Sequence, residues 1–172
     1  MQQATAQAGG SSQGLLAVDR MDRFLGWGAL AVLVAMLAAI ARGHAHWGEI
    51  PLTVWAHLAT IGTALALTPV MLWQPRGNQR HRTLGYVWVA AMALTALISL
   101  EVKLINHGRY SLIHILSIYT LIQLPLIVLA ARAHNIARHR RSIRGMVLGA
   151  LLIAGFFTFP FDRLLGHWLF GG

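Results

Sequence analysis

The chain has 172 residues, 56% hydrophobic and only 11% charged, with a mean hydropathy of +0.59. Soluble domains carry about a quarter of their residues charged, so a soluble reading leaves too little polar surface. Cysteine is absent, which excludes disulfides, Cys-based zinc sites, iron–sulfur clusters and thiol catalysis. The net charge of +9 does not indicate nucleic acid. The arginines sit in short loops between apolar spans, where positive charge sets topology.

Residues 1–18 are rich in Gln, Ala, Gly and Ser and read as a disordered tail. Asp19, Arg20, Asp22 and Arg23 directly precede a full-length apolar stretch, which argues against a secretory signal. The remainder, 19–172, reads as one all-α membrane domain of five transmembrane helices in an up-and-down bundle. Each span needs about 20 mostly apolar residues. The first runs from about Phe24 to Ala41. The second runs from Thr53 to Trp73 and stops at the turn sequence Gln74-Pro75-Arg76-Gly77. The third begins at Thr83 and fades near Ile105, and the fourth runs from Ser111 to about Ala131. The fifth starts in or just before Ser142-Ile143-Arg144-Gly145 and reaches Phe159, with Pro160 as a kink or stop. Gly145, Gly149 and Gly155 are expected to let a neighbouring helix come close.

Orientation follows from counting Lys and Arg by side. The tail, the second-to-third loop and the fourth-to-fifth loop hold ten; Arg42, Lys103, Arg109 and Arg163 make four on the other side. Positive-inside then places the chain in a bacterial inner membrane with the N-terminus cytoplasmic and the C-terminus outside. The six tryptophans fall mostly near span ends, as interfacial indoles do.

Four spans carry a histidine near their start: His57, His81, His114 and His139. Alternating threading lets His57 meet His114 at the outer level and His81 meet His139 at the inner one. A ring inside the hydrocarbon boundary needs a partner. Two facing imidazoles complete the axial coordination of haem iron, so each pair is a candidate haem-b site. Arg82 and Arg140, beside the inner histidines, would pair with propionates. The alternatives are local. His57 and His114 could bond a nearby Thr60, Ser111, Ser117 or a carbonyl, and the inner arginines could hold anionic lipid headgroups.

Glu101 is the only acid well inside a predicted span. It could bind a proton in quinol chemistry, join a metal site, or pair with Lys103 or Arg109. His44-x-His46, with Glu49 nearby, forms a loose cluster suited to zinc or copper, which His107 and His167 could join. No Ser-His-Asp order, His-Glu-x-x-His motif or phosphate loop is present.

Ala56-His57-Leu58, His81-Arg82-Thr83-Leu84-Gly85-Tyr86, His114 and Ala137-Arg138-His139-Arg140-Arg141 occur in an order that resembles a family of bacterial integral membrane proteins known only as a domain of unknown function. The resemblance covers about half the chain and implies no activity. The architecture is also similar to transmembrane di-haem b cytochromes, a likeness of layout only. The leading expectation is a haem-b electron carrier working with quinol or another redox partner in the bilayer, with His57 and His114 as its first ligand pair and His81 and His139 as its second. The rivals are a cofactor-free membrane subunit or lipid-binding protein, and a transition-metal site at the outer face built from His44, His46, His57, His114 and Glu101.

Overall fold

The computed structural model describes residues 17–101, 112–160 and 163–171, and every regular element among them is helical. Helix α1 spans Arg20–Arg42 and leads into a 3-10 segment, Gly43–Glu49. Helices α2 (Leu52–Trp73), α3 (Gln79–Glu101) and α4 (Leu112–Arg132) follow. The chain then forms α5 (Ile136–Met146), a π segment (Val147–Ile153), α6 (Ala154–Phe156) and the short α7 (Leu164–Phe170). Four helices are long and apolar enough to cross a membrane, and these are α1 to α4.

The four spans start within a few residues of where the apolar runs place them. α1 begins earlier than expected because Asp19 caps it. The Asp22 amide donates to the Asp19 carboxylate at 3.0 Å, and the Asp19 amide donates back to Asp22 at 3.2 Å. This reciprocal box satisfies two of the helix's orphan N–H groups. The expected fading of the third span near Ile105 lies outside the described residues.

The fifth segment departs from expectation. It starts at Ile136, inside the basic stretch, because Asn135 caps the Arg138 amide at 3.0 Å. Its apolar half opens into a π segment, and the helix ends at Phe156, ahead of Pro160. It is therefore not one long α-helix like α1 to α4. Gly155 lies against Val32 as expected, whereas Gly145 and Gly149 face open space.

Each helix packs on its chain neighbours, and the fifth segment returns to α1, which closes the ring. α7 folds back onto α1, where Trp168 lies over Gly43 too closely for any side chain there. The core runs through Leu25, Ala29, Leu65, Trp88, Met92, Leu124, Ile127 and Leu151. Leu37, Leu94, Ile118, Ile122 and Phe156 are exposed around the outside, as a lipid-facing surface requires.

A polar seam joins α2 to α3. The His57 ring meets the Ser99 hydroxyl at 3.2 Å, Thr95 donates to the Thr60 hydroxyl at 2.8 Å, and Trp88 donates to the Thr68 hydroxyl at 3.0 Å. The paired numbers rise on one helix as they fall on the other, which is an antiparallel register. Between the last two rungs, buried Ala64 falls at the level of buried Ala91 and Met92, where a small residue admits the longer methionine.

The candidate site at the arginine-rich end

Asp22 lies in the first turn of α1, and its side chain is 0% exposed. An isolated buried carboxylate would be costly. Here three arginines from two other segments surround it. Arg76, in the α2–α3 loop, reaches it at 2.5 Å. Arg140 approaches at 2.8 Å, and Arg144 is bidentate on one carboxylate oxygen through Nε and Nη2 at 3.0 and 2.9 Å. Arg144 also bonds Asp19 at 2.6 Å, and Arg140 lies 2.9 Å from it. Arg76 and Arg140 both donate to the Ala17 carbonyl, at 3.1 and 3.0 Å. The side chains of Arg76, Arg140 and Arg144 are 10%, 12% and 24% exposed.

Local packing puts these groups in place. Arg76 follows α2 by three residues, and the last residue of α2, Trp73, is pressed onto Gly26 of α1. A β-carbon at Gly26 would overlap the indole. The Trp27 ring flanks it, with centroids 4.9 Å apart. Arg140 and Arg144 are four apart on α5 and so project from one face. Burial pushes the Asp19 carboxyl up, but hydrogen bonds from Arg144 and the Asp22 amide outweigh it and hold the carboxyl below its ordinary value.

The two inner histidines lie beside this cluster. His81, at the start of α3, is half-buried near enough to Arg76 for that charge to act on it, and its Nδ1 is buried without a hydrogen-bond partner. His139 places Nδ1 3.1 Å from the Ile127 carbonyl of α4. A carbonyl can only accept, so Nδ1 carries a proton, and in the neutral ring Nε2 is the nitrogen with the lone pair. Arg82 donates to the Gly77 carbonyl at 3.4 Å, and Arg140 is drawn to Asp19 and Asp22.

His57 sits between α2 and α3. The single Ser99 proton goes to the Thr95 carbonyl at 2.8 Å, so the His57 Nδ1 is the donor to Ser99. His114 is buried on α4, on one face with Ser117 and Thr120. The main neighbours of α2 are α1 and α3, and those of α4 are α3 and α5. Helix α3 therefore stands beside both histidine-bearing helices, and the side chain that meets His57 is the Ser99 hydroxyl of α3.

Glu101 is the last described residue of α3 and is exposed. His44 bonds the Ala41 carbonyl at 3.2 Å, and His46 lies 3.4 Å from Glu49; all three of these side chains are exposed. His167 is on α7, and His107 lies outside the described residues. Among the described residues, no three His, Asp or Glu side chains gather as a metal would need.

Counting charges by side missed the convergence on Asp22. The legible signal was Asp19-x-x-Asp22 at a span start, a capping pattern that also leaves two carboxylates beside many arginines. Comparison with protein families, curated proteins and solved structures found no match. The resemblance noted above rests on its residues alone.

Proposed function

We propose that the chain is a five-span bacterial inner-membrane protein with a cytoplasmic N-terminus, and that His81 and His139 hold haem b in an electron carrier. The observation that carries this is the buried, unpartnered Nδ1 of His81 at the end of the bundle that also holds His139, a ring oriented by the Ile127 carbonyl. Ligating histidines commonly donate their second ring nitrogen to a carbonyl in this way. Two imidazoles suffice for haem, because the porphyrin brings its own four nitrogens. Haem supplies the one-electron chemistry when bound, and the protein supplies axial ligands and dry surroundings. A quinol or another one-electron donor is the partner class this implies.

The fifth crossing is supported by continuity. α5, the π segment and α6 follow one another without a break, 11, 7 and 3 residues long. Together they form a rod of about 30 Å, whose basic first turns lie at the headgroups and whose apolar part beyond Arg144 enters the bilayer. The ten-to-four charge bias supports the orientation. Cysteines placed at Asn78 and Asn135 should resist labelling from outside, and one at Asn106 should accept it; the reverse pattern overturns the orientation.

The haem reading is tested by the optical spectrum of protein purified from haem-replete cells. Reduced b-type bands are expected in the wild type and in a His134→Ala control, and their loss in His81→Ala and His139→Ala. A wild-type protein without those bands ends this reading. A second reading, a cofactor-free membrane subunit, is favoured by one observation. Arg140 is turned to carboxylates and Arg82 to a carbonyl, where propionate partners would be expected to reach outward.

A further inference from the structure

A shallow cleft of about 290 Å³ opens at the start of α5, lined by Ala137, Arg140, Arg141 and Arg144. We propose that it binds the phosphate of an anionic phospholipid. This inference rests on the membrane reading of the fold and is independent of haem.

Charge comes first. Arg76, Arg140 and Arg144 bring three positive charges to Asp19 and Asp22, so the cluster keeps one in excess before Arg141 is added. Arg141 is exposed and has no side-chain partner among the described residues. The Arg144 contacts use Nε and Nη2, which leaves its Nη1 for a ligand.

Geometry comes second. Guanidinium groups match phosphate oxygens through paired donors. Asp19 and Asp22 hold the Arg144 fork in one place, so little side-chain freedom remains to be lost on binding.

Depth decides the source of the phosphate. On α1, Phe24 and Trp27 are exposed just beyond Asp22, and on the fifth segment Leu148 is exposed one turn beyond Arg144. Below them, Arg138 and Arg141 are exposed. The cleft thus lies where apolar surface gives way to charge, which is the level of headgroups. Basic pockets between spans on the cytoplasmic side suit anionic headgroups.

The test uses the full chain in nanodiscs of phosphatidylglycerol mixed with phosphatidylcholine, followed by native mass spectrometry of retained lipid. The expected result is selective retention of phosphatidylglycerol. It should fall about ten-fold in Arg141→Glu, an exposed position that the fold does not need, and stay near wild type in Arg132→Glu. Arg144→Lys keeps the charge but loses the fork, so it should lie between the two. Equal retention of both lipids, or equal loss in the Arg132 and Arg141 variants, overturns the proposal. Displacement of the lipid by millimolar inorganic phosphate overturns the lipid source and assigns the cleft to free phosphate.

Discussion

At the arginine-rich end, five charged side chains from three segments close on one another, whereas α2 and α3 are joined by three neutral hydrogen bonds spread over about 16 Å of helix. The first arrangement is concentrated and interdependent. Asp22 is fully buried and shared by three arginines, so removing that one carboxylate breaks every contact at once. The second is distributed. Each hydroxyl of the seam also has a carbonyl of its own helix to turn to: Thr60 has Ala56, Thr68 has Ala64, Thr95 has Ala91 and Ser99 has Thr95. Losing one rung leaves its neighbours satisfied. Sensitivity to mutation should therefore be high at one place and low along the other, although both are polar and both join helices.

The largest expected effect is at Asp22. Asp22→Ala removes the one carboxylate common to Arg76, Arg140 and Arg144. Breaking a buried pair from one side costs about 3–5 kcal/mol. Thermal unfolding in detergent should show it, and a loss below about 1 kcal/mol would mean that the arginines simply turn to solvent. Next is the seat of the Arg76 loop. Gly26→Ala drives a methyl into the Trp73 indole and should cost about 1–3 kcal/mol by overpacking. A Gly26→Ala, Trp73→Leu double variant should recover part of that loss, and no recovery would break the link between Gly26 and the ring.

Acid should weaken the charged end through its carboxylates. The Asp19 carboxyl is held below its ordinary value in the fold, so its contribution is present above the unfolded value and lost as pH falls through the folded one. Stability should fall below about pH 4. Asp19→Asn should flatten that part of the profile, and an unchanged slope would remove Asp19 as its source. The smallest effect belongs to the seam. Thr95→Val should cost about 0.6 kcal/mol, the average for hydrogen bonds between membrane helices. A value of several kcal/mol would make the seam as interdependent as the charged end.

Much of the scaffold was legible in the sequence. Hydropathy alone located four helices to within a few residues, because a run of about 20 apolar residues has few other uses. The fifth was harder. Ala137-Arg138-His139-Arg140-Arg141 reads as a loop by charge, yet it is the first part of a helix capped by Asn135. α7 escaped notice because seven residues after a proline carry almost no periodic signal. At the site, His139 turns its Nδ1 to the Ile127 carbonyl of α4, a partner that the spacing of histidines did not announce. The partner of Arg140 was not legible. Positive-inside counting treats each arginine as a number on one side of the membrane, and only packing decides which carboxylate it meets. The Ser99 contact of His57 was equally hidden, since it depends on the register between two helices 42 residues apart.

The span in sequence between Asp22 and Arg144 bears on how the protein is made. The two residues are separated by 122 positions. Ribosomes add roughly 5–20 residues per second, so Asp22 enters the membrane surface roughly 6–24 s before its last partner is synthesised. Arg76 arrives first and can shield the carboxylate only in part. The charged cluster therefore cannot form until the whole set of helices has been delivered. A chain truncated before α5 would keep Arg76 as the one arginine of the three beside Asp22, and would leave only partly covered a carboxylate that the finished fold buries.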